Sequence, residues 1–214
     1  MANDISKYND NVMALSDASI QMLAKLEGIE YKPYKCSAGL LTIGVGHVIG
    51  KGKQLKQIVG RARAADLDNL EITYREVAQL LGLDLMEFVP EIELDLKDVK
   101  RGNKKESNYE RELDAFTLLT FNIGLRAYGD STARRLYKLG YSNNEIIPWI
   151  LAWHYVGKDK NRGLAKRRTL EAAIFSGDIE NTINIAKMVY KTLKVDYIEV
   201  RDLYKHYINA IENQ

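Results

Sequence analysis

Three side chains able to do acid, base and nucleophilic chemistry lie close together in the first part of the chain. Glu27 is followed after eight residues by Cys36, and Cys36 after five residues by Thr42. A carboxylic acid can protonate a leaving group, a thiolate can act as a base, and a hydroxyl can hold a water molecule. We therefore expect a reaction at this stretch, with Glu27 as a general acid.

The residues before Glu27 predict a helix that ends beside it. Ser16 is a typical N-cap, Gly28 is typical just past a helix end, and apolar residues recur between them at helical spacing. In the last turn the negative end of the helix dipole disfavours a charged carboxylate, which suits a group that must deliver a proton. The alternative is an ordinary solvated carboxylate, the interpretation we give to the neighbouring Glu30.

The residues after Glu27 predict a β-hairpin. Segments 31–35 and 40–49 are strand-like, and Ser-Ala-Gly at 37–39 forms a turn in which the glycine supplies a positive φ. Gly44 and Gly46 weaken the second strand but would let a ligand approach its backbone closely. We expect this strand to form the floor of a groove.

This stretch resembles the catalytic signature of the phage-type lysozymes, glycoside hydrolase family 24. In that family Glu is followed after eight residues by Asp or Cys, then after five by Thr, and T-I-G-x-G-H completes the pattern. Here Thr42 begins T-I-G-V-G-H. The resemblance extends in order over about 17–177, through F-N-I-G at 121–124, S-T at 131–132, Trp153, G-L at 163–164, R-R at 167–168 and Glu171.

The resemblance implies an α+β, mainly α, lysozyme-like fold with a small β-hairpin lobe and a larger helical lobe around a groove. It also implies a division of the chain: an N-terminal arm at 1–16, a catalytic domain at 17–177 (small lobe 17–72, interlobe helix 74–88, helical lobe 89–177) and a C-terminal helical extension at 178–214.

Capping and periodicity predict the helices in more detail. Thr73 and Glu76 form a capping box for the helix at 74–88. Gly82 could bend this helix, and Pro90 could end it. Further helices are predicted at 113–123 (ending at Gly124), 131–139 (capped by Ser131), from Asn144 through a buried Trp153, and at 164–175 (closed by Gly177), with one or two more after 178. Residues 97–108 read as a charged connection.

The resemblance implies an endolysin-type muramidase that cleaves the β-1,4 bond between N-acetylmuramic acid and N-acetylglucosamine in peptidoglycan, with no cofactor. Glu27 would protonate the leaving oxygen while Thr42 and Cys36 position the attacking water. Cys36 departs from the usual carboxylate, and it acts either as a thiolate base or as a small space-filling residue. Without a second carboxylate, the carboxylate separation does not predict an inverting or a retaining outcome.

His47 is one of three histidines, and their spacing does not match a metal site. By family resemblance, its role is structural, and Asp84 is its expected acidic partner.

Two adjacent arginines and one asparagine are further site candidates by resemblance. Either Arg167 or Arg168 would face the groove near Glu27 and tune it, although Arg162 competes because the loop at 157–163 is expanded. The alternative for each arginine is a solvated basic helix face. Asn122 is a candidate saccharide contact, with a helix-ending role as the alternative.

Composition restricts the possible partners. The formal charge of +2 is small, but 158–168 contains six basic residues against one acidic residue, which suits an acidic polymer such as wall glycans carrying carboxylates or teichoic acids. No signature of nucleic-acid binding, signal peptide or membrane span is apparent, and one cysteine excludes an internal disulfide. The single cysteine fits a reducing cytoplasm, and the family resemblance implies a monomer that accumulates in the infected host and reaches the wall with the help of a holin.

Three other functions stay open. A lytic transglycosylase would cleave the same bond using the sugar's own hydroxyl instead of water. A non-catalytic protein would only bind peptidoglycan. A membrane-disrupting role for the basic segment and the terminal helices is the third, although those helices carry no excess of positive charge.

Overall fold

The computed structural model describes residues 15–36, 39–50, 53–97, 99 and 109–212. Residues 1–14 of the predicted arm at 1–16, the turn residues 37–38 and most of the charged connection at 97–108 lie outside the described residues. The chain divides into two compact units, with the boundary between Glu87 and Phe88.

The first unit combines short helices with a small sheet. Its described elements are α1 (Asp17–Glu27), β1 (Glu30–Lys35), β2 (Leu41–Gly44), β3 (His47–Val48), α2 (Gln54–Val59), α3 (Arg61–Ala65) and α4 (Tyr74–Leu85).

Helix α1 has the ends that the sequence predicted. The Ser16 hydroxyl accepts a hydrogen bond from the Ser19 amide at 3.1 Å, which satisfies one of the free amides of the first turn. At the other end, Gly28 adopts a φ of +80° and its amide donates to the Ala24 carbonyl at 3.0 Å. Glu27 is therefore the last residue of the helix, as expected.

The sheet is antiparallel in the order β1-β2-β3. The second predicted strand is divided, because Gly44 and Gly46 adopt φ values of +68° and +78° and turn the chain between β2 and β3. Gly44 is buried, and a side chain at this position would meet Ile72, Val77 and Leu80 at 3.7 to 3.9 Å. Gly44 therefore faces the hydrophobic side chains at 72, 77 and 80 at ordinary contact distance, and the close approach of a ligand to the backbone of this strand stays a prediction.

Helix α4 begins with the predicted capping box. The Thr73 hydroxyl accepts from the Glu76 amide at 3.2 Å, and the Glu76 carboxylate accepts from the Thr73 amide at 2.7 Å. The helix ends at Leu85, three residues earlier than predicted, and a turn separates it from a helix that the sequence did not predict. Pro90 is the second residue of that next helix, where its missing amide costs no helical hydrogen bond.

The second unit is mainly helical. Its described elements are α5 (Val89–Lys97), α6 (Tyr109–Ile123), α7 (Leu125–Gly129), α8 (Thr132–Lys138), α9 (Asn143–Leu151), β4 (Tyr155–Val156), β5 (Asp159–Lys160), α10 (Arg162–Ser176), α11 (Ile179–Val189) and α12 (Tyr197–Glu212). The mainly helical α+β class predicted from the sequence is confirmed.

The predicted ends at Gly124, Ser131 and Gly177 are confirmed. The cap at Asn144 is wrong: α9 starts after Ser142, whose amide and hydroxyl both donate to the Glu145 carboxylate, at 2.9 and 2.6 Å. Trp153 lies beyond the end of α9 and is only half-buried.

Helix α10 is the centre of the second unit, and α6, α9, α11 and α12 pack against it. An aromatic cluster fills the core beside it. The Phe116 ring centroid lies 5.6, 5.0 and 5.2 Å from those of Tyr128, Tyr137 and Phe175.

The C-terminal helices α11 and α12 are an integral part of the second unit. Val200 and Tyr207 of α12 are fully buried, and the Tyr207 hydroxyl donates to the Asp114 carboxylate of α6 at 2.7 Å. Asp114 has no exposed surface. A buried carboxylate is costly without hydrogen-bond donors, so the Tyr207 hydroxyl of α12 stabilises the buried Asp114 carboxylate of α6.

Among the described helices, none is both long enough and apolar enough to cross a membrane.

We expect Tyr207→Phe to lower the free energy of unfolding by about 1 to 3 kcal/mol, because it removes a donor to a buried carboxylate while keeping the ring. Urea denaturation measures the change. Tyr141→Phe is the control, since Tyr141 is 43% exposed and should change stability by less than about 0.5 kcal/mol. Equal losses in the two variants would contradict the assignment.

Candidate active site

Glu27 is positioned by the end of α1. It is half-buried, and Gly28 breaks the helix immediately after it, so that β1 begins only three residues later. The carboxylate therefore lies where the chain passes from helix to sheet.

One backbone carbonyl joins Cys36 to Thr42. The Leu40 carbonyl accepts the amide of Cys36 at 2.9 Å and the hydroxyl of Thr42 at 3.0 Å. The turn is closed by the Gly39 amide, which donates to the Cys36 carbonyl at 2.8 Å. Thr42 is buried, whereas Cys36 is half-buried. The structure thus holds the two predicted site residues in one hydrogen-bonded turn.

Tyr34 interacts electrostatically with Glu27 and Cys36 and lies opposite Thr42 in the sheet. It pairs directly with Thr42 across β1 and β2, so the two side chains lie on the same face of the sheet. The pKa of Tyr34 is raised, first by burial and then by electrostatic interaction with Glu30, Cys36 and Glu27. These three groups therefore lie within electrostatic range of the Tyr34 hydroxyl.

Sequence reasoning missed Tyr34. The available signal was its position in the predicted strand at 31–35, two residues before Cys36.

His47 and Asp84 join the sheet to α4. The imidazole Nδ1 lies 2.8 Å from one carboxylate oxygen of Asp84 and 3.0 Å from the other. The His47 and Asp84 side chains are 7% and 19% exposed. Because His47 pairs with Ile43 in β2, one residue after Thr42, the contact anchors the strand that carries Thr42.

Arg167, Arg168 and Asn122 come together in the second unit. The Arg168 guanidinium donates to the Asn122 side-chain oxygen and lies 2.8 Å from the Glu171 carboxylate. Arg167 donates to the other Glu171 oxygen at 3.0 Å and to the Leu118 carbonyl at 3.3 Å.

Both arginines and Glu171 are buried, while Asn122 is exposed. The alternative of a solvated basic face is therefore excluded for both arginines. Arg162, the competing residue, is exposed.

Within the part of the chain that the structure describes, no group of three or more His, Cys, Asp or Glu side chains is placed to hold a metal ion.

Comparison with known proteins gives consistent results. A family model for phage lysozyme matches residues 24–171. The endolysin of Salmonella phage P22 is 32% identical over 164 residues, which cover 77% of this chain and 99% of that protein. A crystal structure of a P22 lysozyme variant has a TM-score of 0.57 at 30% identity, over 76% of this chain and 98% of that one. The muramidase domain of SpmX from Asticaccaulis excentricus shares the fold at 22% identity, with a TM-score of 0.56 over 75% of this chain and 96% of that one.

The mainly helical fold, the carboxylate at the end of α1 and these matches define a lysozyme-type glycoside hydrolase of the endolysin class. The chain belongs to the phage lysozyme family. The resemblance stated from the sequence is thereby confirmed. The matched region contains Glu27, Cys36 and Thr42 and ends within α10, so α11 and α12 lie beyond it.

We expect Asp84→Ala to lower the free energy of unfolding by about 1 to 3 kcal/mol, because the buried His47 ring loses its carboxylate partner. Chemical denaturation followed by circular dichroism measures this. Asp68→Ala is the matched control, since Asp68 is exposed in the same unit. A stability loss confined to the control, or absent from both variants, would refute the structural role of the pair.

Proposed function

We propose that this endolysin-type lysozyme hydrolyses the β-1,4 bond between N-acetylmuramic acid and N-acetylglucosamine in the peptidoglycan of its host, and so lyses the cell. The observation that supports it is the placement of Glu27, Cys36 and Thr42: the carboxylate ends the helix that leads into the first hairpin, and the thiol and hydroxyl residues share the Leu40 carbonyl within that hairpin, inside the region matched to the family. The relatives' endolysin and muramidase names fit this substrate.

Glu27 acts as the general acid. Cleavage of a glycosidic bond requires a proton on the leaving oxygen, because an unprotonated sugar oxygen is a poor leaving group. The last turn of α1 places the Glu27 carboxyl at the negative end of a helix dipole and beside the groups around Tyr34.

Thr42 and Cys36 position the attacking water. The Thr42 hydroxyl donates a hydrogen bond to the Leu40 carbonyl, so the hydroxyl oxygen can accept a hydrogen bond from a water molecule. The Cys36 amide donates to the same carbonyl, which keeps the thiol in a fixed relation to the hydroxyl.

A lytic transglycosylase is the second candidate, favoured by one observation. A thiol occupies the place where the family pattern allows a carboxylate, so a charged group that would activate water is not guaranteed at this position. The two reactions give different products, since transglycosylation leaves an anhydro sugar end.

Arg167 and Arg168 remain candidates for tuning the charge at the site, and Asn122 for contacting saccharide. Both buried guanidiniums contact the Glu171 carboxylate, and the Arg168 guanidinium also donates to the exposed Asn122 side chain.

We also propose that the protein works as a monomer and reaches the wall from the host cytoplasm through a holin. This rests on the family resemblance. Lysis of cells that express the chain alone, without any holin, would contradict it.

We expect Glu27→Gln to lower the release of soluble fragments from purified peptidoglycan by about 10² to 10⁴-fold, the usual contribution of a general acid. Mass spectrometry of the fragments also identifies their ends. Glu30→Gln is the control, because Glu30 is an exposed carboxylate three residues away and should retain activity.

Fragments with reducing N-acetylmuramic acid ends, lost only in Glu27→Gln, are the expected result. Anhydro ends would change the assignment to transglycosylase. If the native protein binds walls but releases nothing, the protein is a non-catalytic binder.

We expect Cys36→Asp to retain the native rate within about tenfold and Cys36→Ala to lose more than that, because only the former keeps a group that can become a base. Initial rates of fragment release with both variants measure this. Full activity in Cys36→Ala would show that the thiol only fills space and that Thr42 alone holds the water.

A further inference from the structure

The basic run at 158–168 does not form a single surface. Arg167 and Arg168 are buried, whereas Lys158, Lys160 and Arg162 are exposed. The two lysines belong to the short hairpin of β4 and β5, in which Tyr155 pairs with Lys160. The exposed positive charge is therefore concentrated on the hairpin and on Arg162, which follows it.

A second basic segment lies beside this hairpin. This segment begins at Lys191, directly after Tyr190. The Tyr190 ring packs against the His154 ring at the base of the hairpin, with the centroids 4.7 Å apart. The Lys160 ammonium donates to the Thr192 hydroxyl at 3.2 Å. Lys191 and Lys194 are exposed on either side of Thr192. We call the resulting surface the hairpin patch; it consists of Tyr155, Val156, Lys158, Lys160, Arg162, Lys191 and Lys194.

Within its own two segments, the hairpin patch has more basic than acidic residues. The segments 155–162 and 190–196 contain five basic residues but only two acidic ones, Asp159 and Asp196. Asp196 accepts hydrogen bonds from the amides of Ile198 and Glu199 at 3.0 and 3.1 Å, so its carboxylate serves the start of α12. The patch therefore keeps a net positive charge at neutral pH.

An aromatic ring adjoins these charges. Tyr155 is 47% exposed, and its ring lies 4.2 Å, centroid to centroid, from the buried ring of His154. The His154 carbonyl accepts the Asn161 amide at 2.8 Å and closes the base of the hairpin. A ring held in this way offers an apolar face to a sugar, while the neighbouring ammonium groups attract anions.

We infer that the hairpin patch is a second, non-catalytic surface that binds an anionic wall polymer through its phosphate or carboxylate groups. The choice of partner rests on the proposed function, since a wall-cleaving enzyme works among such polymers. The patch suits a polymer better than a lipid surface, because its charges are spread over two segments and only Tyr155 and Val156 contribute exposed apolar area.

Part of the hairpin patch comes from the C-terminal extension. Lys191 and Lys194 lie beyond residue 171, where the family match ends. This gives the extension a role in retaining the enzyme on the wall between cleavage events, in addition to its packing in the second unit.

The test measures binding to purified cell walls by co-sedimentation, in the Glu27→Gln background so that the walls persist. The hairpin variant reverses four charges of the patch: Lys158→Glu, Lys160→Glu, Lys191→Glu and Lys194→Glu. We expect its affinity at low salt to be at least about tenfold weaker than that of the parent, and the difference to shrink as salt screens the charges.

The matched control variant makes the same total charge change at exposed positions away from the patch: Lys53→Glu, Lys56→Glu, Arg61→Glu and Lys205→Glu. It should bind walls within about threefold of the parent. Circular dichroism and melting curves confirm that both variants are folded. Equal weakening in the two variants would overturn the inference, because net charge rather than the patch would then explain binding.

Two further arms identify the source of the anions. Walls stripped of phosphodiester polymers by hydrofluoric acid retain the carboxylates of peptidoglycan. Patch-dependent binding that is lost on stripping assigns phosphate, and patch-dependent binding that survives assigns carboxylate. Patch-dependent binding to phosphatidylglycerol vesicles but not to walls would overturn the inference in favour of a membrane.

The outcome is separable from that of the proposed function. Fragment release by the protein with native Glu27 reports catalysis, whereas sedimentation of the Glu27→Gln variants reports binding. An active enzyme whose hairpin variant binds as the parent does refutes only the patch.

Discussion

The second unit depends on the burial of two guanidiniums and one carboxylate on a single helix. Burying charges is costly, and hydrogen bonds from neighbouring elements offset part of that cost. Here α6 supplies two acceptors, the Leu118 carbonyl and the Asn122 side-chain oxygen, and these bonds fix the register of α6 against α10. The aromatic cluster around Phe116 then packs in the space that this register leaves, and the remaining helices pack against α10.

In the first unit, three local contacts hold the candidate site residues in place. A helix end places the acid, a backbone carbonyl holds the thiol-bearing turn to a strand hydroxyl, and an imidazole–carboxylate contact fixes that strand to α4. Each contact lies within a few residues of Thr42 or Glu27. The side chains assigned to the reaction are therefore held by neighbours that are themselves hydrogen-bonded, which is what a site must have if it is not to reorganise during the reaction.

Local signals in the sequence predicted several helix ends, whereas most contacts between elements were not visible in it; the contact between His47 and Asp84 was expected only from the family resemblance. Ser16, Gly28 and the Thr73–Glu76 box mark helix ends through bonds to residues three or four positions away, which a sequence displays directly. Ser142 and Glu145 carried the same capping-box signal, but Asn144 competed for the start of that helix.

The burial of Arg167 and Arg168 was not predictable in this way. Adjacent basic residues read as a solvent face, and only their partners on another helix, together with Glu171, make burial possible.

The contribution of Tyr207 to the core has a consequence for the order of folding. A ribosome delivers α12 after every other element described here, so the nascent second unit carries Asp114 without that hydroxyl until residue 207 has emerged. Completion of the helical unit is therefore timed by synthesis of its last described helix.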